Sequence, residues 1–213
     1  MANAADWEDA ALAAIADHGL ASLSIPALAV QLGVTKGSFY WHFKGLPQLI
    51  EASLRRWEEI DREALDEVHE IADPRARLKA LFTQAMKAHQ AHALYMALSP
   101  SADAKVGTIL RRIHDRRLRF LVEAFRDIGL VARDAREQAL LTYSAYIGAI
   151  HLRQHLHSEK DLAAYIAHAV KTLIPSVSEG RTSSSARRGE SRAHTRPGGR
   201  QRPPFQRRRR PRE

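Results

Sequence analysis

Between Trp7 and Leu173 the apolar residues of this chain recur at three- and four-residue intervals, in segments closed by glycine, proline or a capping side chain, and nowhere in the alternating pattern of a half-buried strand. Such a chain can bury its apolar surface only by packing helices together, so the fold class it predicts is all-α. Trp7, Ala11, Ala14, Ile15 and His18 share one helical face, which stops at Gly19. Ser24 is placed to cap a short segment, IPALAVQL, that ends at Gly33, and Lys36 to Phe43 reads as a third short helix.

Pro47 opens a long helix that reaches about Ala72, and Asp73 followed by Pro74 starts the next. Leu78, Phe82, Ala85, His89, His92 and Met96 then read as one stripe, broken at Ser99 and Pro100. An arginine-rich amphipathic helix covers about 103–127 and is closed by Gly129. From Asp134 to His157 the chain is apolar on nearly every side, with Leu140, Tyr143, Ile147 and Ile150 on one face and Leu141, Ala145, Gly148 and Leu152 on another. A helix of that kind has to be covered all round. Ser158 and Asp161 form a capping box with Asp in place of the usual Glu, and begin a last helix carrying Leu162, Ile166, Ala169, Val170 and Leu173.

An apolar content of 45% over 213 residues suffices for a real core. The chain has no cysteine, which rules out disulfides, cysteine-ligated zinc and a thiol nucleophile. No segment approaches about 20 uninterrupted apolar residues, and the acidic N-terminus does not read as a targeting segment, so the expected setting is cytoplasmic with no membrane partner. The formal net charge of +9 resides wholly between Pro175 and Glu213, where twelve arginines face three glutamates. That stretch is dense in Arg, Ser, Gly and Pro and should be a disordered basic tail. Near DNA its arginines would hold phosphates without regard to sequence.

The first three helices carry the clearest functional signal. The link GVT between the second and third has the length of the turn in a helix-turn-helix, and Gly33 supplies the positive φ such a turn needs. Thr35 is placed to cap the third helix, leaving Lys36, Gly37 and Ser38 at an end that favours phosphate. Phe39 and Phe43 share an inward face, while Tyr40, Trp41 and His42 point outward, as suits a surface lying in a DNA groove.

With its block LAVQLGVTKGSFYWHFKGLPQLI, the chain closely resembles the TetR family of bacterial regulators over about Trp7 to Ile50, and more loosely to Ile174. The resemblance implies residues 1–46 as a helix-turn-helix head, residues 47–174 as a helical ligand-binding and dimerisation domain, and residues 175–213 as the tail. It places Ser24, Thr35, Lys36, Gly37, Ser38, Tyr40, Trp41, His42 and Lys44 at positions that tend to contact DNA. The chain departs from the family at Leu46, where a basic residue is common. The implied protein is a homodimeric repressor of a palindromic operator in double-stranded DNA, released by a small-molecule effector.

For the effector, Phe82, Met86, His89, His92, Met96, Ile109, Ile113, Phe125 and Tyr143 form the expected pocket. For the dimer, Leu140, Ile147, Gly148, Ile150, Ile166 and Val170 form the expected interface, with small residues permitting close helix approach. His89 with His92, and His151 with His155, have the spacing of paired metal ligands but lack a third ligand at a fixed offset, so no metal is assigned. No catalytic motif and no cofactor site is recognised, and an enzyme is not expected. A protein that coats DNA non-specifically through its tail is the alternative reading.

Overall fold

The computed structural model describes residues 2–152, 155 and 158–175, and these fold into helices without strands. In chain order the helices are α1 (Ala4–His18), α2 (Ile25–Gln31), α3 (Lys36–Tyr40), α4 (Leu46–His69), α5 (Pro74–Lys87), α6 (His89–Leu98), α7 (Ala104–Asp127), α8 (Ala132–His151) and α9 (Glu159–Leu173), with a 3-10 turn at Leu20–Ser22. The sequence-based expectation of a disordered basic tail concerns residues outside the described ones, apart from Pro175.

Local side-chain chemistry sets most of the starts. Asn3 and Asp6 form a reciprocal capping box on α1, while Ser24, Asp73, Asp103 and Ser158 each accept a backbone N–H at the start of α2, α5, α7 and α9. Thr35 differs. It occupies the N-cap position of α3 in an extended conformation, but its side chain makes no capping bond.

Three helix limits depart from the sequence reading. First, α3 stops at Tyr40 and not Phe43, and the N–H groups of both His42 and Phe43 turn back onto the Phe39 carbonyl at 3.0 Å. Second, the stripe from Leu78 to Met96 belongs to two helices. The backbone breaks at Ala88, with ψ 68°, and the Ala85 carbonyl accepts from Ala88 N at 3.2 Å and from the His92 ring at 2.7 Å. Third, α8 ends at His151, where the backbone of Leu152 leaves helical geometry.

Two apolar clusters follow. The first joins Trp7, Ala11 and Ile15 of α1 to Leu28 of α2 and Phe39 of α3, and continues without interruption through Leu49, Leu54 and Trp57 of α4, Leu94 and Leu98 of α6, and Val106 to Ile113 of α7. The second packs α5 and the C-terminal half of α7 against α8 and α9, around Phe82, Met86, Phe125, Tyr146 and Ile166. Phe39 is fully buried, with its ring edge-on to Trp7 at 5.3 Å and tilted against Phe43 at 5.5 Å. Truncating a ring so enclosed removes its transfer free energy and leaves a cavity. Phe39→Ala should therefore destabilise the protein by about 3–5 kcal/mol, read as a lowered denaturant midpoint at unchanged slope.

Candidate nucleic-acid interface and internal cavity

The link from α2 to α3 is built by backbone hydrogen bonds around Gly33. Val34 N donates to the Ala29 carbonyl at 3.0 Å and Gly33 N to the Val30 carbonyl at 3.1 Å, with Gly33 at φ 65°. These are the two bonds of a Schellman closure, which needs a left-handed residue at the glycine position. The chain turns at once, and α3 lies with Phe39 inward.

The face left outward carries the residues that the sequence singles out. Trp41 is 85% exposed and Tyr40 63%. Thr35, Lys36, Gly37, His42 and Lys44 are exposed beside them, while Ser24 and Ser38 are half-buried. A Cβ added at Gly37 would meet only Thr35 Oγ1, at an ordinary 3.6 Å, so nothing inside the protein requires glycine there. His42 is not free to swing, since its Nε2 lies 3.1 Å from the Ala2 carbonyl and ties the start of the chain to the end of α3. Between Asp17 and Glu51 the sequence contains no acidic residue, whereas Lys36 and Lys44 flank the exposed rings. A face with exposed rings, two lysines and no carboxylate within its own stretch of chain matches the surface of a polyanion.

A second feature lies deeper. A cavity of about 750 Å³ runs between α1, α4, α5, α6, α7, α8 and α9, with walls largely apolar, among them Leu12, Trp57, Leu81, Leu94 and Leu121. Four of the nine residues expected from sequence line it: Phe82, His89, Phe125 and Tyr143. The other five do not. Met86 is fully buried in the second cluster, Ile109 and Ile113 belong to the first, and Met96 is 40% exposed. His92 is turned back onto the Ala85 carbonyl by the break at Ala88.

Sequence reasoning missed the polar wall of this cavity, Asp61, Arg117, Thr142 and Tyr146. Arg117 donates through Nε to Asp61 Oδ1 at 2.7 Å, its Nη2 lies 2.6 Å from the same oxygen, and its guanidinium carbon stands 5.7 Å from the Tyr146 ring centre. The Tyr143 hydroxyl and His114 Nδ1 are 2.6 Å apart. Burial pushes Tyr143 up to about 12 and raises Tyr146, and burial together with the nearby Arg117 charge holds His114 below its ordinary value. All three rings are therefore neutral at physiological pH. Asp61 Oδ2 and Thr142 Oγ1 are buried without a hydrogen bond. Among the described residues, no three His, Asp or Glu side chains converge in the manner of a metal site.

On α8, Leu140 and Leu141 are exposed by 59% and 56%, and a Cβ at Gly148 would meet nothing within 4 Å. Ile147 and Val170 are half-buried. Ile150 and Ile166 do not join this surface, because they pack into the second cluster of their own chain. The outward face of α8 instead carries Leu140, Leu141, Ser144 and Leu152 around half-buried Gly148, and on α9 Ala163, Ala164 and Ala167 are exposed.

Residues 9–52 match the model of the bacterial regulatory proteins of the tetR family. A search of curated proteins returns no significant match. Among solved structures the chain is similar to a TetR transcriptional regulator from Legionella pneumophila, at 14% identity over 82% of this chain and 99% of that one, with a TM-score of 0.68. It is similar to a transcriptional regulator from Saccharomonospora viridis in complex with choline, at 17% identity over 80% and 94%, with a TM-score of 0.66. A third is the regulator FadR from Bacillus subtilis in complex with stearoyl-CoA, at 18% identity over 81% and 98%, with a TM-score of 0.58.

The exposed face allows binding and folding to be separated. Trp41→Ala should change stability by no more than about 0.5 kcal/mol and Lys36→Ala likewise, as expected for exposed positions. Both should weaken DNA binding, and Lys36→Ala should lower the slope of log affinity against log salt by about 1, measured by fluorescence anisotropy across a salt series.

Proposed function

Since the chain belongs to the TetR family of bacterial transcriptional regulators, we propose that it acts as a homodimeric repressor of a palindromic operator, released by a small molecule bound in the internal cavity. The observation that carries this reading is the α3 face, where Tyr40 and Trp41 stand exposed beside Lys36 over a fully buried Phe39. In this reading residues 1–46 read DNA through Ser24, Thr35 to Ser38, Tyr40, Trp41, His42 and Lys44, residues 47–174 hold the effector and the partner, and the tail adds non-specific affinity.

Two heads are needed because one short helix contacts too few base pairs to be selective. Their recognition helices would enter successive major grooves about 34–36 Å apart, which makes the operator a palindrome. The exposed leucines of α8 around Gly148, with the small residues of α9, support a four-helix seam between two copies. The cavity supports effector control, since its wall includes Asp9 and Leu12 of α1 and Trp57 to Leu65 of α4, the helices that carry the head. The choline and stearoyl-CoA held by two regulators of this fold are consistent with a small molecule in such a space. A ligand shifts the DNA-bound population only by its differential affinity for the two states, so a cavity whose walls belong to both head and body is a fitting place for one.

The competing reading, a DNA-coating protein governed by its arginines, is favoured by the twelve arginines after Pro175. Binding of the full chain, and of one ending at Ile174, to the DNA upstream of its own gene and to a scrambled duplex separates the two. The repressor reading expects the shortened chain to keep a preference of about 10³ or more. The coating reading expects no preference and a loss of affinity with the tail. For the seam, Gly148→Arg should leave the protomer folded, since its Cβ meets nothing, yet give a monomer by analytical ultracentrifugation with operator affinity reduced at least about 100-fold.

A further inference from the structure

The largely apolar cavity wall carries two ion pairs, Arg56 with Asp9, which is open to solvent, and Arg117 with Asp61, which is buried at the place where α7 holds α4. Arg117 is the charged group in question. Only 19% of its side chain is accessible, and it lies in the cavity wall, with Asp61 on one side and the Tyr146 ring on the other. Asp61, 6% accessible, is itself shared: Arg117 binds its Oδ1, and Arg116 Nη1 lies 3.5 Å from its Oδ2 without a hydrogen bond. One turn earlier on α4, Glu58 takes Arg112 in a paired contact at 2.8 and 2.5 Å and Arg116 at 3.1 Å, while Arg116 also donates to the Glu58 carbonyl at 3.0 Å. Three guanidinium groups thus face two carboxylates, and the surrounding His114, Tyr143 and Tyr146 are neutral. Within the hydrogen-bonded network the guanidinium groups outnumber the carboxylates by one, at the edge of an apolar space, with Glu59 and Asp115 nearby.

This geometry bears on ligand class. A cation would compete with Arg117 for a position the protein already fills, beside Asp61 and over an aromatic ring. A wholly apolar molecule would strip water from Arg117 and return no acceptor. A carboxylate offers two coplanar oxygens to the guanidinium fork and pairs the guanidinium that the network has in excess. Building on the reading of the cavity as the effector site, we propose that its ligand is an amphipathic monocarboxylate whose head takes Arg117 from Asp61, leaving Asp61 to Arg116 and loosening the hold of α7 on α4. Because α4 follows the DNA-reading head directly, the exchange of partners at Arg117 is the step that carries occupancy of the cavity to the DNA face.

The probe is dodecanoate, used on the full chain well below its micellar range, with dodecanol and dodecyltrimethylammonium as partners of equal chain length. Binding is followed by the change in tryptophan fluorescence, Trp57 being the one of the three tryptophans that lines the cavity, and by calorimetry. Dodecanoate should bind at least about tenfold more tightly than dodecanol, in line with a charge-assisted pair. Dodecyltrimethylammonium should be weakest. Replacing Arg117 alone leaves Asp61 buried without its main partner, so the decisive variant is the double change Arg117→Gln with Asp61→Asn, which keeps polar groups of similar size. There the ratio of acid to alcohol affinity should fall to about one. Asp61→Asn alone removes the competitor and should tighten dodecanoate binding. An alcohol as good as the acid, a preference for the ammonium, or a ratio unchanged in the double variant would each overturn the proposal. The repressor reading is judged separately, by selective operator binding of the ligand-free protein: if that selectivity is absent while the acid preference holds, the function falls and the ligand class stands. If dodecanoate binds through Arg117 without lowering operator affinity, the transmission step is wrong.

Discussion

The ring of Phe39, closed between Trp7 and Phe43, is the contact on which the exposed face of α3 depends. The helix that bears it spans only Lys36–Tyr40 and lacks a side-chain cap. A helix of little more than one turn has almost no stability of its own, because the cost of nucleation is spread over too few hydrogen bonds. Its orientation therefore comes from tertiary packing. With Phe39 fixed inward, helical geometry turns Tyr40 and Trp41 to the outside, and their exposure is a consequence of that anchor and not an accident of loop placement. The turn at Gly33 completes the constraint, since its two backbone bonds determine the direction in which α3 leaves α2.

The same core links the head to the rest of the molecule. Trp7 and Ile15 share a cluster with Trp57, Leu94 and Val106, so α1 is wedged against α4, α6 and α7 and does not float on a linker. Close-packed interiors transmit displacement, because a side chain cannot move far without moving its neighbours. Any change in the spacing of α4 and α7 is then felt at α1, and through Trp7 at Phe39. The arginines of α7 determine that spacing on one side and the apolar cluster determines it on the other. Ionic contacts and packing thus play different parts: the apolar cluster fixes which helices touch, and the charge network sets how firmly one pair is held.

Most of the helical order was legible because periodicity and caps act locally. Asn3, Ser24, Asp73, Asp103 and Ser158 each close a start within a few residues, and Gly33 marks its turn in the sequence itself. What escaped was non-local. The break at Ala88 involves no proline or glycine and shows itself only in the bond from His92 to the Ala85 carbonyl, seven residues back. Losing it moved Met86 and His92 out of the expected pocket lining. Likewise Ile150 and Ile166 looked equivalent to Leu140 as interface residues, because periodicity names faces and does not say which face a neighbouring helix covers.

Asp61 and Arg117 are the instructive omission, since their signal was present in the pattern. Leu54, Trp57, Leu65 and Val68 define the buried stripe of α4, and Asp61 falls in the middle of it. Val106, Leu110, Ile113, Leu121 and Ala124 define that of α7, and Arg117 sits at the corresponding place. One charge interrupting each of two apolar stripes, with opposite signs, is costly to bury singly and tolerable only as a pair. The pairing of α4 with α7 could thus have been inferred before any coordinates, and with it the position of the polar wall. A purely structural role would be served as well by two apolar side chains, which typically match or exceed the stability of a buried ion pair. On the proposal that the cavity takes a carboxylate, the pair beside it, with one oxygen of Asp61 left without a hydrogen bond, serves what the cavity receives.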